Sequence, residues 1–351
     1  MSSNLPLVSV VTPVYNGEKY LVECIEGVLA QTYKNWEYIV INNCSTDKTL
    51  EIACNYAQHD DRIRVVSNSQ FVGSTENHNT AFRLISEKSR YCKVVSADDY
   101  LFPECIEKLV AVAEGNSRAA IIGSYAIDTK GVRWIGLPPD KSVFDGREVC
   151  RLYLLGSIDA FGVPTTVLYR SALVRSRDPF YPGSLPNADI AACLISLADT
   201  DFAFVHQILS YERIHSEAIN AGLRELNAFL IDRIQFLREY GPTYLKQEEI
   251  ENRREELLRE LYRYLAVSFV HLRGKQFWNY YRERLDAIGY SVSGLRMAGA
   301  VCMKLADLSL NPKQTLEKIL GRLRSRQHRH AMKRNECLSC ANRIPRHIAL
   351  Q

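Results

Sequence analysis

Tyr91-Cys92-Lys93-Val94-Val95-Ser96-Ala97-Asp98-Asp99 is a short β-rich run that stops on two adjacent carboxylates. Carboxylates set side by side where a buried strand ends repel each other and lose hydration, so stability alone does not put them there. A divalent cation is the usual compensation, because it prefers hard oxygen ligands and can hold phosphate oxygens at the same time. The tetrad Ser96-Ala97-Asp98-Asp99 therefore predicts a strand end that faces a ligand.

Outward from that run, the first 125 residues alternate two patterns. Val8–Thr12, Trp36–Ile41 and Ile63–Ser67 read as strands. Glu18–Gln31 carries Tyr20, Leu21, Cys24, Ile25, Val28 and Leu29 at helical spacing, and Thr46–His59, Asn77–Ser86 and Cys105–Ala113 also read as helices. Strands that are apolar on both faces and alternate with helices predict an α/β fold with a mostly parallel central sheet. Ligands of such sheets sit beyond the carboxyl ends of the strands, where the Asn-rich turn after Ile41 and the Asp98-Asp99 pair both fall.

Residues 119–219 have shorter strands and more Gly and Pro, and the loops Gly156–Pro164 and Pro179–Asn187 are expected to shape an acceptor pocket. Phe161–Thr166 is expected on the acceptor side as well. After Asn220 the pattern changes to long amphipathic helices: Leu223–Tyr240 stopping at Gly241-Pro242, Leu245–Arg273 at Gly274, and Gln276–Ile288 at Gly289. The predicted division is a domain over 1–221, with a nucleotide-binding half 1–125 and an acceptor half 126–221, then a helical C-terminal region 222–310 and a basic tail 311–351.

A chain of 351 residues suits one enzyme domain plus an appendage. Its net charge of +4 hides an asymmetry. The tail from Asn311 has ten Lys or Arg against Glu317 and Glu336, about +8, which leaves the rest slightly acidic. No run approaches the roughly 20 apolar residues that span a bilayer, and the best candidate, Met297–Leu310, is broken by Lys304 and Asp307. Met1–Pro6 lacks the basic start of a secretory signal. Ten cysteines scattered singly read as reduced thiols, so a cytoplasmic setting is expected. Cys337 and Cys340, near His328, His330 and His347, leave a zinc knuckle open.

Four segments in order, Val8–Leu21, the Gln31-Thr32-Tyr33 turn, Ile41–Thr49 and Ser96–Asp99, resemble the family 2 inverting glycosyltransferases of the GT-A fold, the kind that builds bacterial surface polysaccharide. The resemblance covers roughly residues 5–220. It implies a nucleotide-sugar donor, a UDP-sugar foremost, a glycan or lipid-linked saccharide acceptor, and Mn²⁺ or Mg²⁺. Thr12, Pro13, Tyr15, Asn43, Asn79, Ser96, Asp98 and Arg213 are implied to bind the donor, Asp99 and His215 to hold the metal, and Asp189 to act as catalytic base. Asp199 and Asp201 compete for that last role but read as turn residues.

The chain also departs from the pattern. Asn42-Asn43-Cys44 stands where relatives commonly have Asp-Asp-Gly, Asn77-His78-Asn79 where many have Ala-Arg-Asn, and Ser96 where many have another Asp; one extra residue precedes Arg213. These departures keep open a degenerate domain that binds nucleotide or glycan without catalysis, although retention of Asp98, Asp99 and Asp189 argues against it. A nucleotidyltransferase is a further alternative, but Pro13-Val14-Tyr15-Asn16-Gly17 is not a Gly-rich basic phosphate loop. The basic tail reads either as a solvated helical cap or as a contact for anionic membrane at the inner face of the plasma membrane. With little aromatic interleaving, nucleic acid is not expected.

Overall fold

Val8–Val14 (β1) takes the centre of a sheet because its apolar residues are shielded on both faces: Val8, Val10 and Val11 have no exposed surface. Parallel strands flank it, with Val8 in register with both Trp36 of β2 (Trp36–Asn42) and Tyr91 of β4 (Tyr91–Val94). β3 (Ile63–Ser67) pairs with β2 in the same sense. The crossovers are α1 (Leu21–Leu29), α2 (Thr49–His59) and α3 (Ser74–Arg83), the β-α alternation expected from the apolar periodicity. The coordinates are a computed structural model that describes residues 5–183, 187–215 and 226–310.

The second half completes the sheet and reverses one strand in its middle. β5 (Tyr100–Leu101) and α4 (Cys105–Gly115) lead to β6 (Ala119–Asp128), and β7 (Gly131–Arg133) and β8 (Val143–Phe144) are short antiparallel additions. α5 (Gly146–Leu154) starts where the Asp145 side chain accepts from the Glu148 N–H. A 3₁₀ turn, Pro164–Thr166, then enters β9 (Val167–Arg170), which runs antiparallel between β4 and β6. After α6 (Ser171–Arg175) and α7 (Ala188–Ser196), β10 (Asp201–Tyr211) lies parallel to β6. The strand order is β3-β2-β1-β4-β9-β6-β10-β5, mostly parallel as expected.

The helices that follow depart from the expected bounds. α8 (Ala228–Tyr244) runs through Gly241 and Pro242 instead of stopping there. Pro242 stands in the last turn, where its missing N–H removes a single helix bond, and Leu245 N–H closes the helix on the Gly241 carbonyl. Residues 223–225 of the expected helix lie outside the described ones. α8 packs against α5 and α7, so the first compact unit extends to Leu258, beyond the division expected at 221.

The second unit, Arg259–Gln351, takes the later part of α9 (Gln247–Val270), α10 (Lys275–Ala287) and α11 (Gly294–Leu310). Tyr262 and Ala266 form its small core with Met297, Ala300 and Val301. The basic tail and Cys337 and Cys340 lie outside the described residues. The described cysteines are free. No helix among the described residues is long and apolar enough to cross a membrane.

Candidate active site

β4 hands its direction to a tight turn: Val95 N–H still reaches Val11 O, and Asp99 N–H then folds back on Ser96 O at 3.0 Å. The two carboxylates that leave that turn differ in exposure. Asp99 is only 4% exposed. The Thr165 hydroxyl donates to its Oδ2 at 2.5 Å and the Arg213 backbone N–H to its Oδ1 at 3.0 Å. Burial, then the charge of Asp98, hold the Asp99 carboxyl well above the usual carboxylate range, against the pull of those two donors. Ser96 joins the support, its N–H donating to Thr165 Oγ1 at 3.0 Å.

Asp98 faces out, its side chain 32% exposed, with Oδ2 3.0 Å from His215 Nε2. The His215 ring lies 4.9 Å from the Tyr20 ring, and the Arg213 guanidinium covers the same ring at 4.4 Å. Arg213 Nε donates to the Asp98 carbonyl at 3.0 Å, and its Nη2 pairs with Glu23 at 2.5 Å. Residues 213–215 thus strap the acidic turn to α1. The structure brings Ser96, Asp98, Asp99, Arg213 and His215 into one cluster. Asp98 is the outward carboxylate; Asp99, expected to hold the metal, lies buried behind it, each of its oxygens accepting one hydrogen bond.

Sequence reasoning missed the floor of this site. Lys93 is fully buried in β4, and its ammonium donates to the carbonyls of Thr165 and Val167. Burial lowers its pKa, while Cys105 and Asp99 act the other way. A lysine inside an otherwise apolar strand was the available signal. Phe161–Thr166, expected on the acceptor side, instead delivers Thr165 beneath the acidic turn.

The donor-side residues divide into those that face solvent and those that hold loops. Tyr15, 47% exposed past the end of β1, meets Phe71, 60% exposed, edge to face at 4.9 Å. Pro13 is half-buried just before them. Thr12 has no exposed surface, and its hydroxyl bonds Tyr38 in the core at 2.9 Å. Asn43 and Asn79 each hold a loop. Asn43 donates to Val72 O at 2.8 Å and accepts from Val72 N–H at 3.0 Å, while Asn79 makes the same two bonds to Tyr181 at 3.0 and 2.9 Å. Asn43 Oδ1 also accepts from Asn68 Nδ2 at 2.9 Å. Asn43→Ala should lower unfolding stability by about 1–3 kcal/mol, read from denaturant melts, because it strands both polar groups of Val72. His78, standing where an arginine is common, stacks on Tyr181 at 5.6 Å and donates from Nδ1 to Ser74 O at 2.8 Å; burial lowers its pKa, so it supplies no cation at neutral pH.

Asp189 occupies the first turn of α7, partly buried. Burial raises its pKa to about 6, with backbone N–H groups pulling down and Asp232 pushing up. Among the described residues no hydrogen bond or ion pair links it to Asp98 or Asp99. Its charge reaches Tyr153, which also feels Asp159 and Arg233. Those three side chains line a cavity of about 410 Å³. Asp201 is taken by Arg118 at 3.1 Å.

The donor set accommodates a hard divalent ion only in company with a ligand. No group of three or more acidic, His or Cys side chains among the described residues is arranged to hold a metal. Asp98 and His215 are two outward donors 3.0 Å apart. That is also the spacing of neighbouring ligands on an octahedral ion with bonds of about 2.1 Å. His215 Nδ1 is buried without a hydrogen-bond partner among the described residues, so Nε2 is the nitrogen left for such a contact. Magnesium-type sites commonly draw their remaining ligands from substrate phosphates and water.

Residues 9–176 match the family described as glycosyl transferase family 2. An uncharacterized glycosyltransferase of Haemophilus influenzae is 40% identical over 122 residues, 35% of this chain and 37% of the relative. The first curated relatives are matched over 37%, 39% and 49% of their own lengths, so the chain spans less than half of each. Among solved structures, S. aureus TarS 1–349 in complex with UDP-GlcNAc superposes with a TM-score of 0.53 at 18% identity, covering 72% of both chains. The mannosyltransferase PcManGT from Pyrobaculum calidifontis, in complex with GDP-Man and Mn²⁺, gives 0.52 at 15% identity, covering 90% of this chain and 84% of its own. At those identities the likeness concerns the fold, the GT-A type expected from the sequence.

Proposed function

We propose that this chain, whose residues 9–176 match glycosyl transferase family 2, moves a sugar from a nucleoside-diphosphate donor to a hydroxyl of a glycan or lipid-linked saccharide, with inversion at the anomeric carbon. One observation carries the reading: the outward pair Asp98–His215 sits at the carboxyl end of β4, in the same row of strand ends as the exposed Tyr15–Phe71 rings. A base can stack on those rings; such stacking is worth roughly 1–3 kcal/mol. A UDP-sugar is the foremost donor.

Asp98 and His215 would hold a Mn²⁺ or Mg²⁺ ion, which when bound neutralises charge on the departing diphosphate. Asp99, Thr165 and the Arg213 amide fix the turn that presents Asp98. Asp189 takes the proton of the acceptor hydroxyl at a carboxylate oxygen as the hydroxyl oxygen attacks the anomeric carbon. The glycosidic electron pair leaves with the nucleoside diphosphate. A carboxyl near 6 is a stronger base than an ordinary one and still ionised at neutral pH. The cavity lined by Tyr153, Asp159 and Arg233 lies within reach of Asp189's charge, which supports it as the acceptor's seat.

A donor screen tests this. Purified protein is incubated with UDP-, GDP- and dTDP-sugars, with Mn²⁺ or EDTA, and nucleoside diphosphate release is followed. Release from one donor that EDTA abolishes is expected. No release, together with no thermal shift from any donor plus metal, would leave a nucleotide-free domain and sink the reading.

A further inference from the structure

Helix α11 is built inside out for a surface helix. At 3.6 residues per turn its inward side carries Met297, Ala300, Val301 and Lys304, and Ala300 packs on Tyr262 and Ala266. The opposite arc, about 160° wide on the helical wheel, has no charged residue at all. It presents Leu295 at 86%, Met303 at 71% and Leu310 at 80% exposure, with Cys302 and Leu305 also exposed and only small residues between. Arg296 lies at one margin of that arc, beside Asp307, which pairs with Lys304 at 2.8 Å. A solvated helix normally turns its charged side outward. Here apolar side chains face water over the whole length of the helix.

We infer that this face lies in the surface of an anionic lipid bilayer. Two observations choose the occupant. The sequence directly after Leu310 carries ten Lys or Arg against two Glu. Such a basic segment is drawn to anionic headgroups, each residue near the surface adding about fivefold to partitioning. Helix α11 itself, at 17 residues, is only about 25 Å long and cannot span a bilayer. An apolar helix face with basic residues beside it lies along the headgroup boundary, its large side chains among the acyl chains. The inference does not depend on the transfer reaction.

The test is cosedimentation of the full chain with phosphatidylcholine vesicles, with and without phosphatidylglycerol. Wild type should pellet with the anionic vesicles and only weakly with neutral ones, and salt should reduce binding in part. Leu295→Asp/Met303→Asp/Leu310→Asp changes only exposed side chains, so its melting profile should match wild type. Its partitioning onto anionic vesicles should drop at least about tenfold. Equal sedimentation of variant and wild type would assign any binding to the basic tail alone and overturn the inference. So would the absence of binding, tighter binding to duplex RNA than to vesicles, or a dimer in sedimentation velocity that the aspartates dissolve, since a second copy would then cover the face. Nucleoside diphosphate release in lipid-free solution should be the same in both proteins, so failure here and failure of the transfer reading are told apart.

Discussion

Asp189→Asn is expected to lower transfer by roughly 10²–10⁴-fold, the usual worth of a general base, while donor affinity stays within a few fold. The amide keeps the shape of the side chain and its place in the first turn of α7, but it cannot take a proton. Wild-type kcat/KM should fall on the acid side of about pH 6, where Asp189 becomes protonated, and the variant's residual rate should lose that limb. Stability should move the other way. The wild-type carboxyl titrates near 3.8 when unfolded and about 6 when folded, so the native state binds the extra proton between those values. Native stability therefore declines as pH rises through that window and stays lower above it. Asparagine has no charge to desolvate, and the variant should be more stable by about 1–2 kcal/mol at pH 7, after discounting for solvent, and no different near pH 3. Turnover within a few fold of wild type would remove Asp189 from the reaction.

Asp98→Asn should cost about 10²–10³-fold in nucleoside diphosphate release, the scale of losing one aimed electrostatic group at a developing charge. The substitution leaves the support intact, because Thr165 and Arg213 N–H bond Asp99 and not Asp98. Melting in the absence of ligand should accordingly stay near wild type. The additional thermal shift that Mn²⁺ gives in the presence of donor should vanish. A variant that keeps both that shift and its turnover would mean that the outward carboxylate of the pair is not the one that matters.

Much of the donor half could be read directly, since strands buried on both faces leave continuous apolar runs: β1, β2, β3 and β4 all begin where the pattern placed them. The same feature hid the direction of individual side chains. In β1, Thr12 shares a face with Val8 and Val10 and so points into the core. With both faces apolar, no alternation in the sequence distinguishes that face from the other. α3 begins at Ser74, three residues before the expected Asn77, because its first turn, Ser74-Thr75-Glu76, is wholly polar and the periodicity starts only after it. Asn43 and Asn79 sit where donor-binding residues were expected, yet the choice between bonding a ligand and clamping Val72 or Tyr181 depends on loops up to 102 positions away in the chain. Nor does chain order reveal that β9 slots between β4 and β6, which is what carries Thr165 to Asp99.

That reversed strand bears on how such a protein can be assembled and recombined. During synthesis the first 125 residues emerge well before β9, and until Thr165 and Val167 arrive the Lys93 ammonium has none of the carbonyls that hold it in the finished sheet. A polar amine buried without such partners is costly, which favours an open edge of β4 in the nascent chain. The donor half is therefore not an autonomous module. Grafting a different second half onto it, whether by recombination in a genome or on the bench, would remove the carbonyls that hold the buried Lys93 amine. A chimera would work only if the incoming segment supplied two carbonyls and one hydroxyl to the donor side.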